Sequence, residues 1–129
     1  MVGGALVRRL ERENCSVLTV DRKDLDLRDQ SGTRAWLASN RPDAVFIAAA
    51  LVGGIAANST RPAEFLYDNL AIASNIIQGA AENGVKKLMF LGAACLYPRL
   101  APQPMSESSL MEGRLSQPTN GTRLPRLLA

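Results

Sequence analysis

The chain has 129 residues, of which 47% are hydrophobic and 21% charged, and its formal net charge is +3. This length allows one globular domain with a sizeable core. The basic residues alternate with acidic ones, as in Arg8, Arg9, Glu11, Arg12 and Glu13. The positive charge therefore does not form the patch that is typical of nucleic-acid-binding proteins.

The residue types present exclude several other classes. The sequence contains no histidine, so these residues hold no Ser-His-Asp triad, no histidine general base and no histidine-metal site. Cys15 and Cys95 form neither a C-x-x-C pair nor a zinc spacing. The first residues lack the pattern of a signal peptide, and the longest apolar runs, about ten residues, are short for a membrane span. We expect a reduced, soluble, cytoplasmic protein with no membrane or nucleic-acid partner.

The first half of the chain predicts a helix, a strand, a second helix and a second strand. Residues 4–13 place their apolar side chains on one face and their charges on the other. The β-rich run 15–20 follows, and a helix is expected after an N-cap at Asp29 or Ser31. Residues 44–50 form a continuous apolar run, which is typical of a buried strand.

The second half predicts a loop, a long helix and a third strand. Residues 51–60 are rich in glycine and small residues, as in a loop. Pro62 fits the first turn of a helix that reaches about Asn83, and Gly84 suits the C-terminal cap of that helix. Residues 86–92 read as another buried strand. Beyond it, three prolines interrupt regular structure: Pro98, Pro102 and Pro104.

The alternation of helices and strands predicts the α/β class, specifically a Rossmann-type parallel sheet with flanking helices. Such a sheet opens with a strand that lies in its middle, between the second and fourth strands. This sequence opens with a helix. We therefore expect the first strand and the C-terminal part of the fold to be missing from these residues.

Three segments fall where a Rossmann fold binds its ligand. The glycines in Met1-Val2-Gly3-Gly4 precede a helix, where backbone N–H groups can hold a pyrophosphate, although a turn glycine is the simpler interpretation. Asp21-Arg22 ends a strand, and there an acid suits NAD and an arginine suits NADP, so both cofactors and a merely solvated strand end stay open. Cys95 follows the third strand and is interpreted as a reactive thiol or a small buried hydrophobe.

Longer stretches resemble a known family. They are MVGGALVRRLERENCSVLTV, DLDL, AAALVGGIAAN and RPAEFLYDNLAIASNIIQGAAENGVKKLMFLGAACLYP. From residue 1 to about residue 119 the chain resembles the GDP-L-fucose synthases, members of the extended short-chain dehydrogenase/reductase superfamily. The resemblance implies an NADP(H) cofactor and a GDP-sugar substrate. It also implies epimerisation at the two carbons beside a keto group, followed by reduction of that ketone by hydride.

Matching positions assign roles to residues of this chain. Cys95 corresponds to the family's proton-transferring thiol. The implied cofactor-binding residues are Met1, Val2 and Gly3 in the glycine-rich loop, Arg22 at the 2′-phosphate, Asp26 and Leu27 at the adenine, Ala48 and Ala49 in the cleft, and Leu91, Gly92, Ala93 and Ala94 beside the nicotinamide ribose. Residues 1–120 are thus interpreted as a partial NAD(P)-binding Rossmann domain, and residues 121–129 as an unrelated, disordered tail.

The sequence also departs from the family pattern. Ala93 stands where the family has a serine, and Leu51 where it usually has lysine. Asn120 is not followed by the family's Tyr-x-x-x-Lys pair. We therefore expect the chain as given to be catalytically inactive, with weak nucleotide affinity. Two alternatives stay open: another NAD(P)-dependent sugar-nucleotide epimerase or dehydratase, and a non-catalytic nucleotide-binding module. Helix 63–83 is a candidate homodimer surface, although most of its apolar residues are interpreted as covering the sheet.

Overall fold

The computed structural model describes residues 1–92, 97–98 and 100–110. In order along the chain, their helices and strands are α1 (Val2–Leu10), α2 (Gln30–Asn40), β1 (Ala44–Ile47), α3 (Ile55–Thr60), α4 (Pro62–Glu82) and β2 (Lys87–Phe90), followed by a 3-10 turn, Glu107–Ser109. No described helix is long and apolar enough to cross a membrane. The chain divides into two compact units: Met1–Ala50 with Ala71–Leu91, and Leu51–Leu70 with Gly92–Ala129.

The sheet of the first unit pairs β1 with β2 in parallel, from Ala44 opposite Lys87 to Ile47 opposite Phe90. Where the two strands begin, the carbonyl of Asp43 accepts hydrogen bonds from the amides of Lys86 and Lys87. Parallel strands joined through helices confirm the predicted α/β class.

Helix α2 packs closely on α4 within the first unit. A Cβ placed on Gly79 would lie 2.6 Å from Cδ1 of Leu37, so the absent side chain at Gly79 lets the two helices approach. Arg34 and Glu82 join the same helices by an ion pair of 2.7 Å. The core of this unit is formed by Leu37, Ile47, Ala73, Ile76 and Ala80.

Several helix ends match the sequence expectations. Asp29 is the N-cap of α2, and its side chain accepts a hydrogen bond of 3.0 Å from the amide of Ser31. Gly84 follows α4 with a φ of +68°, the left-handed conformation that suits a C-terminal glycine. Helix α1 spans Val2–Leu10, two residues earlier at its start and three earlier at its end than predicted.

Two predicted elements are wrong. Residues 15–20 join no strand ladder among the described residues, because a strand requires a hydrogen-bonded neighbour and no described segment pairs with this one. Helix α3 occupies much of the expected loop 51–60. Polar side chains stabilise it locally: Asn58 donates to the carbonyl of Gly53, and Thr60 donates to the carbonyls of Ala56 and Ala57.

Strand β2 is less buried than its apolar sequence predicted. Met89 is 40% exposed and Phe90 47% exposed, whereas Ile47 on β1 is 3% exposed. The prediction of a strand covered on both faces is therefore wrong for β2 within the described residues. The physical reason is that a sheet of two strands leaves part of its apolar surface without neighbouring elements.

Candidate functional site

The two strands end at the same edge of the sheet. Ala48 and Ala49 follow β1, and Leu91 and Gly92 follow β2 directly after the paired residues Ile47 and Phe90. Ala48 is exposed, Ala49 half-buried and Leu91 38% exposed. In open parallel sheets, ligands bind beyond the carboxyl ends of the strands, so we expect a ligand-binding site at this edge.

The start of α1 lies against this edge. A Cβ placed on Gly3 would lie 3.6 Å from the Cβ of Ala48, so the backbone of the first helical turn and the exit of β1 come close together. Met1 is the N-cap and makes no side-chain capping bond, and the first turn contains no acidic residue. Helix N–H groups in this position carry a partial positive charge and suit an anion such as phosphate.

A charged cluster follows residues 15–20. Asp26 accepts three side-chain hydrogen bonds from Arg28, two from Nε at 3.0 and 3.1 Å and one from Nη2 at 2.5 Å. The backbone amide of Arg28 also donates to Asp26, at 3.0 Å. The side-chain hydrogen bonds from Arg28, then its backbone bond and its charge, hold the pKa of Asp26 well below its usual range. The positive charge of Arg22 lowers that pKa further, as the last and smallest of these effects.

The backbone beside this cluster is fixed from two directions. The side-chain amide of Asn75, on α4, donates to the carbonyl of Leu27 at 2.9 Å and to that of Arg28 at 3.0 Å. The hydroxyl of Thr33, on α2, donates to the same Leu27 carbonyl at 3.3 Å. The sequence pattern assigns no role to Asn75 or Thr33. An asparagine within the apolar pattern of a helix was the available signal, because a buried amide requires a partner.

A second asparagine fixes the chain beyond β1. Asn69 accepts a hydrogen bond of 2.7 Å from the amide of Leu51 and donates one of 2.9 Å to its carbonyl. The side-chain amide thus pairs with both polar backbone groups of Leu51. Leu51 stands at the position where the resembled family usually has lysine. In this chain its backbone amide and carbonyl both bond to Asn69.

The structure thus brings together part of the predicted site. Met1, Val2 and Gly3 lie at the start of α1, with Gly3 beside Ala48. Arg22 lies near Asp26, and Leu27 follows directly. Ala93, Ala94 and Cys95 lie outside the described residues. Among the described residues, no group of three or more His, Cys, Asp or Glu side chains could hold a metal ion.

A parallel sheet with flanking helices, and a helix start beside a strand exit, are features of the Rossmann type of α/β fold. More specifically, the chain belongs to the NAD dependent epimerase/dehydratase family, whose sequence model matches residues 1–121.

Curated relatives share the resemblance predicted from the sequence. The chain is 48% identical over 120 residues to the GDP-L-fucose synthase of Sinorhizobium fredii, covering 93% of this chain and 38% of that protein. It is 50% identical over 121 residues to the GDP-L-fucose synthase of Escherichia coli, covering 93% of this chain and 37% of that one. The predicted family resemblance is confirmed, and the chain spans less than two-fifths of the length of these relatives.

A solved structure shares the fold. The GDP-mannoheptose C4 reductase MlghC from Campylobacter jejuni, determined with NADP bound, superposes with a TM-score of 0.83 at 35% sequence identity. The match covers 98% of this chain and 40% of that protein. The Rossmann-type fold predicted from the alternation of elements is therefore confirmed.

Proposed function

We propose that this chain forms the NADP(H)-binding part of an enzyme that converts GDP-4-keto-6-deoxy-D-mannose to GDP-L-fucose. The observation that carries the proposal is the approach of Gly3 to Ala48, at 3.6 Å for a Cβ on Gly3. This approach leaves the helix N–H groups and the strand exits free to share one ligand. Identities of 48% and 50% to GDP-L-fucose synthases support the substrate class.

The proposed cofactor site assigns each segment to one part of NADP(H). The backbone nitrogens of Met1, Val2 and Gly3 bind the pyrophosphate, and Arg22 binds the 2′-phosphate through charge-assisted hydrogen bonds. The other assignments are Asp26 and Leu27 at the adenine, Ala48 and Ala49 along the cleft, and Leu91, Gly92, Ala93 and Ala94 at the nicotinamide ribose. Bound NADPH supplies the hydride that reduces the ketone.

The proposed chemistry begins at the carbons beside the keto group, which the ketone makes acidic. Cys95 is the proposed group that moves a proton at those carbons. Ala93 offers no hydroxyl to polarise the ketone oxygen. Loss of one such donor slows related reactions by about 10²–10³. Because Asn120 is also not followed by the family's Tyr-x-x-x-Lys pair, we propose nucleotide binding without hydride transfer as the activity of the chain as given. A cytoplasmic location stays a prediction of the sequence.

The choice between NADP and NAD tests the proposed site at one residue. Calorimetric titration of the Arg22→Ala variant should show NADPH affinity reduced about tenfold or more, because a charge-assisted contact to the 2′-phosphate is lost. NADH, which lacks that phosphate, should bind within about twofold of its original affinity. Arg12→Ala removes the same charge at another exposed arginine and is the matched control. Equal weakening of NADPH and NADH in Arg22→Ala would contradict the assignment.

We also infer that two copies pair through the C-terminal half of α4. Ser74, Ile77 and Ala81 follow helical spacing on one side of this helix and are all exposed, with Ile77 at 46%. Contact with a second helix would remove the side chain of Ile77 from water, and the small neighbouring residues leave room for a close approach. This exposed row supports a homodimer, for which the sequence made helix 63–83 a candidate surface.

A further inference from the structure

Asn75 stands out among the residues to which the proposed function gives no role. It is a polar residue only 8% exposed, with Ile76 at 7% and Ala73 at 8% beside it on α4. Its side-chain amide reaches a segment 47 and 48 residues away along the chain and donates to two consecutive carbonyls, those of Leu27 and Arg28. One NH₂ group thus uses both of its hydrogens on one short stretch of backbone.

These two bonds fix the orientation of the peptide groups at the proposed adenine position. The carbonyl of Leu27 accepts from Asn75 on one side and from Thr33 on the other. A peptide group held in this way cannot rotate without leaving a buried donor unpaired. Asp26 and Leu27 are therefore presented in one conformation before any ligand arrives, and such preorganisation favours binding.

We propose that Asn75 is a positioning residue for the adenosine end of the cofactor. It acts through the backbone of Leu27 and Arg28, which it holds so that Asp26 and Leu27 meet the adenine. This inference rests on the proposed NADP(H) site, and it adds a residue on α4 that makes no contact with the cofactor itself.

The experiment uses 2′,5′-ADP, which carries the adenosine and the 2′-phosphate without the nicotinamide. Its dissociation constant is measured by calorimetry for the 129-residue chain and for Asn75→Leu, a substitution of similar shape that removes both donors. Asn83→Leu is the matched control, because Asn83 lies on the same stretch of chain and, within the part of the chain that the structure describes, its side chain donates to the nearby carbonyl of Gly79, at 2.8 Å. Circular dichroism on each sample checks the folded state, and amide NMR signals report where the backbone moves.

The expected result is a dissociation constant raised about tenfold in Asn75→Leu, as for two lost hydrogen bonds that order a loop. Asn83→Leu should stay within about twofold. The amide signals of Asp26, Leu27 and Arg28 should shift in Asn75→Leu, while those of Gly3 and Ala48 keep their positions. A role confined to overall stability would instead leave the affinity of the folded variant unchanged.

A folded Asn75→Leu variant that binds 2′,5′-ADP within twofold of the original chain overturns the inference and leaves the proposed function intact. If the original chain binds neither 2′,5′-ADP nor NADPH, the proposed function fails and the inference fails with it. If Asn75→Leu does not fold, Thr33→Val decides, because it removes the other donor to the Leu27 carbonyl. A rise of about threefold in Thr33→Val supports the inference, and an unchanged value overturns it.

Discussion

At the scale of single residues, Asp26 and Arg28 are joined by several hydrogen bonds. The guanidinium meets both carboxylate oxygens, and the amide of Arg28 meets one of them as well. Side-chain exposures of 37% and 39% show that this pair lies near the solvent, so its contribution to stability is small. The pair instead matters for the geometry of the proposed site, because Arg28 holds the carboxylate of Asp26 in one orientation next to Leu27.

The pH dependence of stability tests this pair. The pKa of Asp26 in the folded chain lies below the unfolded value of about 3.9, chiefly because of the hydrogen bonds from Arg28. The stabilisation is therefore fully present above about pH 4 and is lost as the pH falls through the folded-state value. In urea unfolding, Asp26→Asn should lower the midpoint near pH 7, and the difference from the original chain should shrink below about pH 4. Asp24→Asn, in the same loop, controls for the change in charge. A difference that is constant with pH would contradict the pairing.

The structural roles of some residues could be predicted from their immediate neighbours in the sequence, and the roles of others could not. Asp29 and Gly84 were readable as caps, because a cap depends on residues within a few positions. The hydrogen-bond partners of Asn75 lie 47 and 48 residues away along the chain, so no local sequence pattern predicts them. The same holds for Asn69 and Leu51, which are 18 residues apart.

At the scale of elements, the end of α4 depends on one backbone conformation. Gly84 has a φ of +68° and directly precedes the segment that leads into β2. A Cβ at this position would meet no atom within 4 Å, so any cost of a side chain arises from the backbone and not from crowding. The amides of Gly84 and Val85 donate to the carbonyls of Ala81 and Ala80, which closes the helix end.

Replacement of this glycine should therefore destabilise the chain. Gly84→Ala is expected to lower the free energy of unfolding by about 1 kcal/mol, because an L-residue with a left-handed conformation is strained. The matched control is Gly4→Ala in α1, where the nearest atom to the added Cβ is the flexible end of Arg8, at 3.5 Å. That control should raise stability by about 0.5–1 kcal/mol, because alanine favours a helix. Both are measured by chemical denaturation, and a neutral Gly84→Ala would contradict the capping role.

The type of an element could be predicted from the sequence where nearby residues determine it. The predictions were wrong where side-chain hydrogen bonds or pairing with another segment determine it. The hydrophobic pattern and Pro62 located α4, whose bounds Pro62–Glu82 differ by one residue from those predicted. Residues 15–20 have strand composition but no paired neighbour among the described residues. Helix α3 was not predicted, because Gly53 and Gly54 indicated a loop. Hydrogen bonds from the side chains of Asn58 and Thr60 to nearby carbonyls stabilise a helix there.

At the scale of the whole molecule, association of two copies is a direct test of the exposed row on α4. Ile77→Glu should convert a dimer into a monomer in light scattering, because a charge would be buried opposite an apolar surface. Ala5→Glu, which introduces the same charge at an exposed neutral residue of α1, is the control and should leave the assembly unchanged. A monodisperse monomer for the unaltered chain would contradict the homodimer.

We propose above all that this chain holds NADP(H) at the carboxyl edge of its two strands. Calorimetric titration of the purified 129-residue chain with NADPH, with circular dichroism on the same sample, tests this binding. We expect a folded α/β spectrum and a dissociation constant in the micromolar range, on the order of 10⁻⁶–10⁻⁵ M or about −7 to −8 kcal/mol. A folded chain that releases or absorbs no heat of binding up to millimolar NADPH would contradict it.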